Sequence, residues 1–287
     1  ATGNIGPAVL EQLLLAKFDV TVLSRSNNPS GLPAGVTVHK VDYESVESLT
    51  AALQGIDAVV STVASSVLAV QTKIVDAAVA AGVRRFLPSE FGHDMRHPAA
   101  RALSVFAPKA RVEEYLQKVA AETNLTYTFV STGPFLDWGL HAGVLIGSLK
   151  ERKVEIFDGG RLPFSTTTLA TIGRAVVSVL RHPEETKNRT VTLHEAVVSQ
   201  SKLLEIAKEL TPGEEWTVTE RKSADLKATA DAKIAKGIFD MEVIVSLIKW
   251  SMFSDDFENE FKDVDNELLG IKTISDEELK AIVKSAL

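Results

Sequence analysis

The 287-residue chain has no cysteine, which excludes disulfides and thiolate-held metals. It contains no apolar run long enough to cross a bilayer as a helix, and no charged-then-apolar stretch that reads as a leader. A cytoplasmic protein without a membrane partner is the default expectation. Clustered positive charge is also missing. Lys and Arg number 31 against 38 Asp and Glu, a formal net charge of −7, which repels nucleic acid, so direct nucleic-acid binding is not expected. The Tyr-x-x-x-Lys pair of many dehydrogenases is absent. Tyr43, Tyr115 and Tyr127 are followed four residues on by Glu47, Val119 and Ser131, and Tyr115 to Lys118 is one residue short. No third histidine accompanies His93, Asp94 and His97, so residues 92–98 read as a polar loop and no metal is expected.

What is present starts at the first residues. Thr2-Gly3-Asn4-Ile5-Gly6 precedes an apolar helical pattern at Leu10, Leu13 and Leu14, with Pro7 suited to a first helical turn. The glycines allow a tight turn and a close backbone approach to a pyrophosphate. The helix behind them directs unpaired N–H groups and partial positive charge at the anion. A short strand follows at residues 20–23. G-x-x-G alone is a weak motif, and its context must carry it. A strand and a first glycine normally come before such a turn, so residues ahead of Ala1 that supply both are expected. At the tip of the strand stand Ser24, Arg25 and Ser26, with no acidic residue to bind a ribose 2′-OH. Arg25 and Ser26 suit a 2′-phosphate, which favours NADP(H) over NAD. Asp42 either reaches the adenine edge or caps the helix beginning near Ser45.

Strands at residues 36–38, 58–61, 85–87 and 126–131 alternate with helical patterns at 46–53, 67–81 and 108–123. Such alternation implies an α/β, Rossmann-type doubly wound parallel sheet. Beyond Gly133 the order is less regular, with a strand at 154–157, helices at 169–180 and 202–210, a strand at 216–220 and helices over most of 224–253. Two units are expected: a nucleotide-binding domain at 1–135 and a smaller α/β substrate lobe at 136–287, with a segment near 163–198 packing back on the first. Trp138, His141 and residues 250–253 read as either pocket lining or core. Residues 255–265 read as a solvated acidic face, and Ser275 with Glu278 as the capping box of a last helix.

Leu87-Pro88-Ser89-Glu90-Phe91-Gly92 leaves a strand's carboxyl end, where open α/β sheets bind ligands. With this loop, Ala1-Thr2-Gly3-Asn4-Ile5-Gly6, Ser24-Arg25-Ser26 and Ser131-Thr132-Gly133-Pro134-Phe135, the chain resembles the isoflavone reductase-like branch of the NmrA-like, atypical short-chain dehydrogenase/reductase families. The resemblance is specific over residues 1–135 and general beyond. Ala170-Thr171 stands where the family carries an aspartate. The resemblance implies a reductase that delivers hydride from NADPH to a small aromatic or phenolic substrate and uses a lysine as general acid/base. The matching lysine is Lys109, in Phe106-Ala107-Pro108-Lys109. Hydride addition leaves negative charge on the substrate, which a shielded ammonium can neutralise. From the residues alone, Lys109 and Glu113 also read as an ordinary solvated helical pair.

Position at strand ends, sharpened by the resemblance, adds further candidates. Thr62, Val63, Ala64 and Gln71 fall toward the adenosine half of a bound dinucleotide. Ser89, Glu90 and Phe91 fall toward its nicotinamide, with Gly133, Pro134 and Phe135 on the other side. A second functional class stays open: a non-catalytic, dinucleotide-sensing regulator of the NmrA type that acts through a protein partner. Lys109 separates the two, since an exposed or distant Lys109 favours the sensor. A monomer or a homodimer is expected.

Overall fold

A computed structural model describes residues 1–27 and 29–287. Its first elements are α1 (Gly6–Leu15), β1 (Thr21–Ser24), β2 (Thr37–Lys40), α2 (Val46–Ala52), β3 (Ala58–Val60), α3 (Gln71–Ala81), β4 (Arg85–Leu87), α4 (Pro98–Ala102), α5 (Ala107–Glu122) and β5 (Thr126–Ser131). There follow α6 (Leu136–His141), β6 (Gly147–Ser148), β7 (Lys153–Phe157), β8 (Phe164–Thr166), α7 (Leu169–Arg181), α8 (Pro183–Thr186), β9 (Arg189–Thr192) and β10 (Ala196–Val198). The chain closes with α9 (Gln200–Leu210), β11 (Thr217–Arg221), α10 (Ser223–Ile234), α11 (Met241–Phe253), α12 (Asn266–Leu269) and α13 (Asp276–Ser285). Among the described residues, no helix is long and apolar enough to cross a membrane.

The fold class is the expected one. Strands β3, β4, β5 and β9 form one ladder in that order, every pair parallel, and β1 and β2 form a separate parallel pair. Side chains alternate across a strand, so consecutive residues feed two layers. Phe86 and Phe129 join Val75, Ala78, Val112 and Leu116 of α3 and α5, whereas Leu87 and Val130 join Val9, Leu13, Ile172 and Val176 of α1 and α7. Helices α1 and α7 approach closely because Gly173 has no side chain. A Cβ there would sit 2.6 Å from the Ala8 carbonyl oxygen.

A second body is built on the ladder β11-β7-β6 and the antiparallel pair β8–β10. Its core joins Leu136, Leu145, Phe157, Phe164, Leu203 and Phe253. The segment between its strands returns to the first body, where α7 packs on α1 and β9 pairs with β5.

Two local expectations are refined. The helix expected over 67–81 is a 3-10 turn at Ser65–Val70, broken where Val67 leaves helical geometry (φ −129°), followed by α3. Ser45 rather than Asp42 caps α2: its side chain accepts from the Ser48 N–H, while Asp42 closes a turn by accepting from the Glu44 N–H at 2.9 Å.

Candidate active site

The carboxyl ends of β3, β4 and β5 converge, and hydrogen bonds tie their loops together. Gln71 Oε1 accepts from the Ser89 N–H at 2.8 Å, and Ser89 Oγ donates to the Val63 carbonyl at 2.9 Å. The Gly92 carbonyl accepts from the N–H groups of Thr132 and Gly133 at 3.1 and 3.0 Å. The Ala1 amine lies 3.4 Å from Thr62 Oγ1, which sets the Gly3–Gly6 turn against the end of β3. Thr62, Val63, Gln71, Ser89, Glu90, Phe91 and Gly133 are thus gathered into one cluster of loops at these strand ends.

The remaining candidates rim or flank this cluster. Thr2, Gly3, Asn4 and Ala64 are exposed, whereas Ile5 and Gly6 are buried at the start of α1. Arg25 and Ser26 are exposed at the end of β1, where the Ser26 N–H donates to Ser24 Oγ. Gly133 has φ +62°, and a Cβ on it would lie 2.0 Å from the Ser165 carbonyl oxygen. The backbone of β8 therefore closes directly over it. Pro134 accepts from Thr166 Oγ1 at 2.6 Å, and the Phe135 ring meets Trp138 edge-on at 6.2 Å. His141 is exposed and bonds the backbone oxygens of Asp137 and Ser285 with its two ring nitrogens, a structural use of both.

The β4 loop is the strained part. After Leu87 the chain turns sharply, with the Glu90 N–H on the Pro88 carbonyl at 2.8 Å, and Phe91 takes φ +36°. A bulky aromatic at positive φ is costly and persists when surrounding structure holds it, a pattern concentrated at functional sites. The turn carries the Glu90 side chain inward to 2% exposure. Opposite it, Pro108 opens α5 and places Lys109 in the first turn, 15% exposed. The Lys109 ammonium donates to the Glu90 carbonyl oxygen and lies 3.7 Å from Glu90 Oε2.

Neither carboxyl oxygen of Glu90 has a hydrogen-bond partner among the described residues. Burial pushes this carboxyl up to about 7. Lys109 pulls it down, and the Glu113 carboxylate pushes it up again. Glu113 is itself buried and raised by desolvation, and it is held by Arg101 at 2.6 Å. Arg101 also reaches Glu114 at 2.8 Å.

His93, expected in a plain polar loop, is drawn into the same cluster. Its ring packs 5.1 Å from Phe106 and 6.5 Å from Phe257, and its Nε2 is 2.9 Å from Ser251 Oγ on α11. Ser251 donates its own proton to the Ile248 carbonyl, so Nε2 is the donor in this pair. Desolvation, followed by the nearby Lys109 charge, lowers this imidazole to about 4. The signal for its placement was its direct continuation of the Glu90-Phe91-Gly92 run.

The polar groups of this cluster suit a dinucleotide on physical grounds. Among the described residues no side chain caps the N-terminus of α1, which leaves first-turn N–H groups for an anion. Open space surrounds Gly3. Beyond the turn, Ser61 Oγ and Gln71 Nε2 are buried without partners among the described residues, as groups awaiting a polar ligand are. Two surface cavities of about 230 and 870 Å³ lie elsewhere, one at Arg174 and Lys272, the other at the opposite strand ends near Arg84 and Leu180. Strain and unsatisfied polar groups, rather than concave volume, mark the site.

The profile of the NmrA-like family matches residues 1–268. Oxidoreductase poxI of Penicillium oxalicum is 32% identical over 294 aligned positions, which cover 99% of this chain and 91% of that protein. The crystal structure of isoflavone reductase superposes with a TM-score of 0.76 at 19% identity, covering 100% of this chain and 97% of the other. The binary complex of leucoanthocyanidin reductase with NADPH from Vitis vinifera gives 0.77 at 21% identity, covering 99% and 97%.

Proposed function

The chain belongs to the NmrA-like family, and from that premise we propose that it is an NADPH-dependent reductase of the isoflavone reductase-like kind, with Lys109 as general acid/base and a small aromatic or phenolic substrate. The observation that carries this reading is the shielded Lys109 ammonium fixed at the carboxyl end of β4 beside Glu90. The oxidoreductase name of the Penicillium relative and the NADPH held by leucoanthocyanidin reductase support it. The sensor alternative gains if Lys109 is exposed or lies far from the nicotinamide pocket, and its low exposure speaks against the first of these.

In this reading residues 1–135, joined by the returning segment near 163–198, form the nucleotide-binding unit, and the rest of 136–287 forms the substrate lobe. Thr2, Gly3, Asn4, Ile5 and Gly6 hold the pyrophosphate at the start of α1, and Arg25 with Ser26 holds the 2′-phosphate. Thr62, Val63, Ala64 and Gln71 take the adenosine half, while Ser89, Glu90, Phe91, Gly133, Pro134 and Phe135 border the nicotinamide. NADPH supplies the hydride. The chain's part is to meet the negative charge that reduction leaves on the substrate. Lys109 Nζ neutralises that charge and then gives up its proton to it, in surroundings dry enough to strengthen the interaction.

The test is NADPH oxidation against a panel of enones, quinones and lignan-like ethers. Lys109→Ala should lower turnover about 100-fold or more while NADPH still binds. If NADPH binds and no substrate consumes it, the sensor reading replaces this one. Arg25→Ala should cut the preference for NADP over NAD about tenfold, and an unchanged ratio would remove Arg25 from the site.

A further inference from the structure

Lys109 must regain a proton after each turnover, and its surroundings identify the supplier. We propose that Glu90 and Lys109 form a proton-sharing pair in which Glu90, as a positioning residue, holds the ammonium in place and returns the proton that Lys109 has given away. This rests on the reading of Lys109 as the acid/base.

Three observations converge. Glu90 grips the lysine twice, by its main-chain carbonyl and by Oε2 at 3.7 Å. Both of its carboxyl oxygens lack any other partner among the described residues and are out of contact with water, a costly state for a carboxylate unless it is paired or protonated. The competing carboxylate, Glu113, one helical turn beyond Lys109 on α5, is already occupied by Arg101 of α4. The charges facing Glu90 are thus Lys109 and Glu113 from α5 and Arg101 from α4, while His93 on its own loop faces Lys109 as a neutral ring. Burial keeps Glu90 able to carry a proton near neutral pH. The step balances simply. Lys109 NH₃⁺ loses a proton to the substrate oxygen and becomes NH₂. The O–H of the Glu90 carboxyl then passes its proton to Nζ, restoring NH₃⁺ and leaving a carboxylate, which is restored in turn by the one solvent proton that each reduction consumes.

The test uses the full chain without cofactor, so it does not depend on finding a substrate. Lysine labelled with ¹³C at Cε and glutamate labelled at Cδ report the two groups by NMR, assigned with Lys109→Arg and Glu90→Gln. The Glu90 carboxyl should titrate near neutral pH, and Glu90→Gln should bring the Lys109 titration down by about one pH unit. Should Glu90→Gln fail to fold, Lys109→Met serves instead and should drive the Glu90 titration higher. Identical Lys109 curves in wild type and Glu90→Gln, or a Glu90 titration near 4, the ordinary range for a glutamate, would overturn the pair. With a substrate in hand, the alkaline limb of the pH–rate profile should move down by about one unit in Glu90→Gln, with Glu90→Asp restoring part of it. An unmoved limb overturns the proton return and leaves the reductase reading standing. Coupled titration in a protein that oxidises no NADPH removes the reductase reading instead.

Discussion

Two buried charges sit five residues apart at opposite ends of β4 and are treated in opposite ways. Arg85, 7% exposed, donates to the hydroxyls of Thr126, Thr128 and Thr186 at 2.9, 2.7 and 3.1 Å and to the Pro183 carbonyl. It ties β4 and β5 to α8, with each of its three guanidinium nitrogens donating. Glu90, 4% exposed, leaves both carboxyl oxygens without a hydrogen bond among the described residues and sits on a loop with an aromatic residue at positive φ. Burial of charge is common to both, so burial does not mark function. Satisfaction does: a saturated charge holds a fold together, and an unsaturated one is free to act on a ligand or a neighbour.

The largest effect should come from the saturated end. Arg85→Ala strips the donor from three threonines and a carbonyl and leaves a cavity, so it should cost about 4 kcal/mol of stability. Urea denaturation measures this, with NADPH affinity of the folded protein unchanged. A loss below about 1 kcal/mol would mean that saturation at this end does not bear on the fold.

Glu90→Gln should do the reverse. The folded carboxyl titrates at about 7 against an ordinary 4.5. Between these values the folded protein binds more protons than the unfolded chain, and wild-type stability falls as pH rises. Above about pH 7 the glutamine variant should therefore be more stable by roughly 3 kcal/mol, with the gap closing toward pH 4.5. A difference independent of pH would show that Glu90 is not held against its charge. His93 gives the opposite slope. Its folded value of about 4 lies below the ordinary 6.5, so the unfolded chain binds the extra proton and stability falls as pH drops from 6.5 to 4. Because His93 as a whole residue is half-buried, removing this loss in His93→Gln should be worth about 2 kcal/mol at pH 4 relative to pH 7. Equal acid sensitivity in the variant would place the loss in other groups.

Legibility in the sequence follows the same divide. Strand β5 occupies the residues its Tyr-Thr-Phe-Val pattern predicted, and β4 likewise, because sheet layers on both faces need apolar residues at alternate positions. Strand β9 was missed. Arg189-Thr190-Val191-Thr192 carries one apolar side chain, and its strand state comes from β-branched residues and pairing with β5 far away in sequence. The candidate site was readable as a set of loop positions, since strand ends follow from strands, and Lys109 came through the family resemblance. The contact between Glu90 and Lys109 was not readable, because it spans 19 residues and depends on how α4 and α5 turn the chain back. Nor does an aromatic residue announce a positive φ, which only the fold around Phe91 imposes.

Gln71 lies between the two extremes and gives the finest test. It is fully buried, with Oε1 accepting from the Ser89 N–H at 2.8 Å and Nε2 without a partner among the described residues. One side chain thus has a saturated half and an unsaturated half. Gln71→Met keeps the volume and removes both polar ends. Losing the acceptor for Ser89 should cost about 1 kcal/mol, read as a shift in urea midpoint. Losing Nε2 should weaken NADPH binding about fivefold, or about 1 kcal/mol, read by fluorescence titration. If stability falls and affinity stays, an idle donor at the start of α3 is not a ligand group, and unsaturation ceases to distinguish the working end of the sheet from the structural one.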